Sequence, residues 1–343
     1  MECDVLISGG GLAGLSAARS LAGSGLSVVV AERMAGDSYH RYHTICGEAI
    51  SDRMFEKIGM EPRAVVRRVD TITISFAGGA DIRIPVKGQI IDRNGLLDSM
   101  REECDAEFVH GKVESVRRDG DGFVVGISGQ ECRCRYLIGA DGAHSVVRRD
   151  IFGSKPEEAE PIVNNIVRGT GDGTLHFTVS DKYPGAYKWE FPSAEGLLSV
   201  GYIYGSDHVD NPVSKGARTM PIGRLPSVVD GNCAIVGDAA CLANPLCFGG
   251  IGAALMSGRV AAEAIRAGDL GRYSKWVSKD IMFDRHFMEA HRQFAKWSDA
   301  EIADAMAPLR KGYSIARGFC AILRRPRYAN VYMSCWVGFR RGW

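Results

Sequence analysis

The sequence predicts an α/β fold in which a Rossmann-type nucleotide-binding domain is joined to an antiparallel sheet and a C-terminal helical segment. Three observations carry that prediction. A glycine triplet stands between a strand and a helix at the start of the chain. Two later segments repeat the strand–turn–helix order, and two stretches between them alternate apolar and polar residues.

The opening, DVLISGGGLAGLSAARSLAGSGLSVVVAER, reads as a strand from Val5 to Ser8, a helix from Leu15 to Ala22 and a second strand from Ser27 to Ala31. Gly9, Gly11 and Gly14 have the G-x-G-x-x-G spacing. The first permits the turn, the second lets a pyrophosphate reach the backbone, and the third lets helix pack on strand. The free N–H groups of that helix would hold the phosphates. Glu32 closes the second strand, where its carboxylate can accept from ribose hydroxyls and disfavours a 2′-phosphate.

Two later segments turn this nucleotide site toward FAD. Tyr136 to Asp150 gives a strand, a tight turn from Gly139 to Gly142 that carries Asp141, and a helical start with Arg148. Cys233 to Ile265 gives a buried strand ending in Gly237-Asp238, a loop through Pro245, Gly249 and Gly250, and a helix of small residues. Asp238 can bond a ribityl hydroxyl, and the helix N-terminus at Gly250 can face the electron-rich edge of a flavin. Each segment alone fits an ordinary strand–turn–helix unit. All three in this order do not.

The alternating stretches, TITISFAGGADIRIPV and the segment from Glu160 to Ile222, read as antiparallel strands. Within the second lies YPGAYKWEFP, where Tyr187, Trp189 and Phe191 recur at period two between Pro184 and Pro192. That period puts three rings on one face of a strand. Such a face is either half of a buried sheet or the aromatic wall of a ligand cavity.

The expected division is a discontinuous FAD-binding domain from residues 1–68, 89–155 and 225–268, and a substrate domain from 69–88 and 156–224. Residues 269–343 read as a helical, basic and aromatic segment. The chain of 343 residues is long enough for about two domains. Its net charge of +1 offers no global field for nucleic acid. The ten cysteines show no ligand spacing, so no metal is expected, and Cys132 and Cys134 read as structural thiols on one strand face. No signal-peptide pattern and no apolar run long enough to span a bilayer stand in the sequence, so a cytoplasmic location is expected.

From Leu309 to Trp343 there is no acidic residue. Arg310, Lys311, Arg317, Arg324, Arg325, Arg327, Arg340 and Arg341 alternate with Tyr313, Phe319, Tyr328, Tyr332, Trp336, Phe339 and Trp343. This mixture fits either a peripheral contact with an anionic membrane face or a basic helical cap with core aromatics.

With these motifs in place, the chain resembles flavoproteins with a para-hydroxybenzoate hydroxylase-type fold. More narrowly it resembles the geranylgeranyl reductase family, whose archaeal members saturate isoprenoid chains of membrane lipids. Pro184-x-x-Tyr187-x-Trp189-x-Phe191-Pro192 fits that family's P-x-x-Y-x-W-x-F-P in full, and Cys46-Gly47 in ICGEAIS matches its Cys-Gly pair beside the flavin. Arg93 in IIDRNGLLD matches an arginine that touches the cofactor. The resemblance implies FAD contacts at Ala13, Glu32, Cys46, Gly47, Ala49, Arg93, Val113, Asp238, Gly250 and Ile251, beside Gly9, Gly11, Gly14 and Asp141. It also implies that Tyr187, Trp189 and Phe191, with Phe248, form the substrate wall over the flavin. One departure stands out. Where the family reads P-x-T-G-G-G-I, this chain has Pro245-Leu-Cys-Phe-Gly-Gly-Ile251, so that Cys247 and Phe248 replace a hydroxyl and a glycine.

The implied activity is saturation of C=C bonds in geranylgeranyl chains of archaeal-type glycerophospholipids, with hydride from N5 of reduced FAD. An isolated alkene has no carbonyl to take up charge, so an acid must supply a proton. Cys46 is the first candidate, with an inert buried thiol as its other reading; His40, His43, Glu48 and the phenol of Tyr187 are the others. No second glycine-rich unit and no cysteine cluster is present, so electrons are expected from outside, from a ferredoxin-like protein or a reduced cofactor. Two other functions share these motifs. One is an FAD-dependent monooxygenase or oxidoreductase on another apolar or aromatic substrate, and the other a non-catalytic, membrane-associated flavin module.

Overall fold

A computed structural model describes residues 1–312 and 314–342; Tyr313 and Trp343 lie outside the described residues. Among these are two eight-stranded sheets. The first has a parallel centre in the order Cys233–Ile235, Gln130–Gly139, Glu2–Ser8, Val28–Glu32 and Glu107–His110. An antiparallel hairpin, Val113–Asp119 and Gly122–Ile127, extends it beside Gln130–Gly139. Val5, Leu6, Ile7, Val30, Leu137 and Ile138 are all fully buried. Continuous apolar runs of this kind belong to parallel strands covered on both faces.

One covering layer is made by two helices, Leu12–Leu21 and Ile251–Arg266, which come from opposite ends of the domain. They meet at backbone distance. A Cβ on Gly258 would stand 2.1 Å from the carbonyl oxygen of Ala13, and the Ser16 hydroxyl donates to the Leu255 carbonyl at 2.6 Å. The third glycine of the opening triplet is needed for the same reason, since a Cβ on Gly14 would stand 1.9 Å from the Gly9 carbonyl oxygen.

The second sheet runs Ser214–Ile222, Glu158–Arg168, Leu197–Ile203, Lys188–Pro192, Thr174–Val179, Val65–Phe76, Ala80–Ile91 and Ala49–Ser51. Its pairings are antiparallel except one: Thr174–Val179 lies parallel to Val65–Phe76. That exception corrects the expectation of a wholly antiparallel sheet, and it arises where the two sequence-distant parts of the sheet join. The sheet also takes in Ala49–Ser51 and the start of Val65–Phe76, which the division by sequence assigned to the first FAD segment. The aromatic strand begins at Lys188, later than the prolines suggest, because Tyr183 to Ala186 closes a turn through Ala186 N–H to the Tyr183 carbonyl.

From Gly271 onward the chain is helical, and a cluster around Trp297, Ile302, Ala305 and Tyr328 packs against Ala80, Ile82 and Val179 of the second sheet. No helix among the described residues is long and apolar enough to cross a membrane. Cys132 and Cys134 are buried, with Cys132 Sγ 3.8 Å from Cys3 Sγ.

Gly258→Val should separate the two covering helices. Overpacking of this kind lowers stability by roughly 1–3 kcal/mol, so the urea midpoint should fall clearly; an unchanged midpoint would show that the helices part without loss.

Candidate active site

The segments singled out in the sequence converge on one cavity of about 390 Å³, lined from both sheets. Gly9, Gly11, Ala13, Glu32, Cys46, Gly47, Ala49, Arg93, Val113, Asp141, Asp238, Gly250 and Ile251 line it, and so do Tyr187, Trp189, Phe191 and Phe248. Gly14 alone of the expected contacts lies behind the wall, against Gly9.

At one end the glycine-rich turn is fixed from two sides. Glu32 accepts from the N–H of Gly10 at 2.7 Å and of Met34 at 2.8 Å, while the Tyr39 hydroxyl donates to the Gly10 carbonyl. His43, on the helix Gly36–His43, packs over Gly11, where a Cβ would stand 3.0 Å from its ring. Burial, then the charges of Arg93 and Arg218, push its pKa down to about 3, so the imidazole is neutral at ordinary pH. Asp238 takes a hydrogen bond from Arg218 at 2.8 Å. Asp141 receives the N–H groups of Val146 and Val147 on one oxygen, and burial raises its pKa. Arg148, buried behind it, donates to the carbonyls of Ala143 and Ala239 and so ties the Asp141 turn to the Asp238 turn.

Four buried polar atoms of cavity-lining residues have no partner: Glu48 Oε1, Asp141 Oδ1, Arg93 Nε and Arg218 Nε. Asp141 Oδ1 as an acceptor for hydroxyls and the two arginine N–H groups as donors for anionic oxygens, in a cavity that also includes the glycine-rich turn, fit a flavin dinucleotide.

The other end is aromatic. Phe177, on the neighbouring strand and opposite Trp189, meets Tyr187 and Phe191 edge-on at 4.9 and 5.0 Å between ring centres. Phe248 continues the series, 6.0 Å from Tyr187 and 6.1 Å from His291. The Tyr187 hydroxyl donates to the Cys247 carbonyl at 2.5 Å, which clasps the loop before Gly250 and commits the phenol proton there.

The two ends are joined by a line of buried hydrogen bonds. Trp189 Nε1 donates to Ser199 Oγ at 3.2 Å, Ser199 Oγ donates to Asn164 Oδ1 at 2.7 Å, and Asn164 Nδ2 donates to the Cys46 carbonyl at 3.2 Å. Trp189 can lie flat on the sheet because Gly201 is beneath it; a Cβ there would stand 1.8 Å from the indole. Gly47 presses on the same rings, with room for no side chain: a Cβ would be 2.7 Å from Phe191 and 3.2 Å from Trp189 Nε1. Arg93 reaches Cys46 Sγ at 3.2 Å. His40 points away, 3.6 Å from Asp98 on the outside.

Sequence reasoning missed Phe177, Asn164, Ser199 and Arg218. Phe177 had a signal, since it stands in an alternating stretch. The other three are marked only by partners distant in sequence.

A family model described as FAD binding domain matches residues 2–167. A digeranylgeranylglycerophospholipid reductase of Methanopyrus kandleri is 27% identical, with 88% of this chain and 89% of the relative aligned. One from Methanospirillum hungatei is 28% identical, with 78% of each chain aligned. Among solved structures, a geranylgeranyl bacteriochlorophyll reductase-like protein from Thermoplasma acidophilum superposes with a TM-score of 0.79 at 19% identity, covering 94% of this chain and 96% of that one. A p-nitrophenol 4-monooxygenase from Pseudomonas putida gives 0.63 at 18% identity, over 99% of this chain and 98% of that one. The fold is that of the para-hydroxybenzoate hydroxylase-like flavoproteins, and the cofactor is FAD.

Asn164→Ala would leave the Ser199 hydroxyl and the Cys46 carbonyl without their partner. Stability should fall by about 2 kcal/mol, and FAD should be released at lower urea than the fold is lost. Coincident release and unfolding at the original midpoint would count against the link.

Proposed function

We propose, for an FAD-dependent oxidoreductase that resembles digeranylgeranylglycerophospholipid reductases over most of its length, that it saturates C=C bonds in the prenyl chains of membrane glycerolipids. The observation that carries the proposal is the continuity of the cavity: the aromatic strand and the flavin segments line one space. Rings offer a polyprenyl chain a stiff apolar surface at small entropic cost.

Gly9, Gly11, Glu32, Arg93, Asp141, Asp238 and the helix N-terminus at Gly250 would hold FAD, which when reduced supplies hydride. Tyr187, Trp189, Phe191 and Phe177 position the chain of the lipid and keep water from it. Cys46, turned toward the cavity and held by Arg93, shapes the space at the junction of the two ends. The reducing electrons come from an external donor, either a ferredoxin-like protein or a reduced cofactor.

The lipid would be met at a membrane surface. On the helix Ile315–Arg324, the residues Ile315, Phe319 and Leu323 are 60, 66 and 79% exposed, and their spacing of four places them on one face. Arg310, Lys311, Arg317 and Arg324 are exposed in the same segment, and no acidic residue occurs in this tail. An anionic bilayer complements both features. Arg325 and Arg327 are occupied by Asp304 and contribute to the fold instead.

The direct test is mass spectrometry of an unsaturated archaeal-type diether lipid after anaerobic incubation with the dithionite-reduced holoenzyme. Stepwise gain of hydrogen pairs is expected, and none without FAD. Lipid unchanged over visibly reduced FAD would rule the activity out, and oxygen uptake with NAD(P)H would then point to a monooxygenase. Separately, the protein should sediment with phosphatidylglycerol vesicles at low salt. Replacing Phe319 and Leu323 by Asp should weaken that binding at least about tenfold; equal binding by the double variant would remove this helix from the contact.

A further inference from the structure

We infer that Glu48 is the proton donor of the reduction, the side chain that protonates one alkene carbon as the other receives hydride. The inference rests on the reductase reading above and adds to it the acid.

Glu48 stands on the cavity wall beside Cys46 and Gly47. Its backbone lies in the left-handed region, at φ +59, where a residue with a side chain is strained by about 1–3 kcal/mol. The surroundings hold it there: its N–H donates to Cys46 Sγ at 3.4 Å and its carbonyl accepts from Ile91 N–H at 3.1 Å. Glu48 is one of the residues that line the cavity, and its Oε1 is buried without any hydrogen-bond partner. An unpartnered oxygen is tolerable on a neutral acid and costly on a carboxylate.

The charged groups around it are few. Arg93 and Asp92, at the start of the helix Arg93–Glu102, act in opposite directions, and the neighbouring Cys46 thiol is taken up by Arg93. Burial outweighs the pull of Arg93 and of its backbone N–H, so the carboxyl holds its proton up to about pH 7. The other candidates are disposed differently. The Tyr187 proton is given to the Cys247 carbonyl, His43 is neutral above about pH 3, His40 lies outside, and Cys46 Sγ accepts from two donors.

The step balances. The proton of Glu48 forms a C–H bond at one alkene carbon and hydride from reduced FAD forms the other. The C=C π bond is lost, and the hydride that FAD gave up is restored as two electrons from the external reductant and one proton from solvent. The Glu48 carboxylate regains its proton from water.

Two readouts test this on the holoenzyme. Infrared titration should show, in the difference between wild type and Glu48→Gln, a protonated-carboxyl stretch that disappears as pH rises through about 7. With dithionite as reductant and the diether lipid as substrate, wild-type product formation should fall about tenfold per pH unit above that point. Glu48→Gln should lose at least about 10²-fold of it with FAD still bound and reduced, and Glu48→Asp should recover part with a displaced pH profile. Hydrogenation by Glu48→Gln at the wild-type rate overturns the inference alone. So does a carboxyl band that is undiminished in that variant relative to the wild type, since Asp141, whose pKa is also raised, contributes equally to both. A wild type that hydrogenates nothing overturns the reductase reading, and the donor role with it.

Discussion

Trp189, Ser199, Asn164 and the Cys46 carbonyl form a buried hydrogen-bond line on which the cavity depends, because it is what binds the substrate wall to the flavin segment. Each bond contributes about 1 kcal/mol net. Their larger effect is on position. Buried polar groups that are fully paired permit one arrangement and penalise every other. Gly47 adds a steric constraint of the same sense, since its Cα lies against Phe191 and Trp189 with no space for a methyl group. The turn Cys46–Glu48 therefore cannot move without the aromatic strand. For a reaction between a cofactor atom and one carbon of a flexible chain, fixing the wall relative to the turn converts binding into orientation.

Charge at the opposite end is arranged in advance of its ligand. His43 packs on the glycine-rich turn with the charges of Arg93 and Arg218 nearby, and the depression of its pKa to about 3 records burial first and those charges second. His43 thus stays neutral in the fold while an exposed histidine would take up a proton near pH 6.5. Acid therefore works against this arrangement, because the unfolded chain binds the proton that the folded one refuses. A pyrophosphate laid along the turn would reverse the balance, giving the two arginines an anionic partner where now only Asp238 serves Arg218. Such preorganised dipoles and charges need little rearrangement on binding.

Much of this was legible in the sequence where the signal is local. The glycine triplet, Glu32 and Asp238 each sit at a fixed offset from a strand end, and the period of Tyr187, Trp189 and Phe191 marks a single face. What was not legible depends on pairings between distant residues. Gly258 looks like any small residue of a helix until Ala13 is placed against it, and Asn164 and Ser199 acquire meaning only from the register that sets Asn164 opposite Gly201 and Ser199 opposite Phe191. The parallel contact between Thr174–Val179 and Val65–Phe76 is hidden for the same reason. Alternation reports which face is buried and carries no information on the direction of the neighbour.

Phe248 shows how a departure in sequence becomes a shape. It keeps φ at +48, a conformation that suits the glycine found there in the resembled family and strains a phenylalanine by about 1–2 kcal/mol. Edge-on contacts with Tyr187 and His291, each contributing about 0.5–1.5 kcal/mol, are enough to offset that strain. The backbone can therefore retain the turn that leads into Gly250 while the ring fills space that a glycine would leave open. His291 cannot yield easily, being buried with Nδ1 on the Gly185 carbonyl and Nε2 3.4 Å from Glu158. Tyr187 is fixed by the Cys247 carbonyl in the same loop. The ring is thus clamped between two fixed partners, and this part of the cavity wall is rigid.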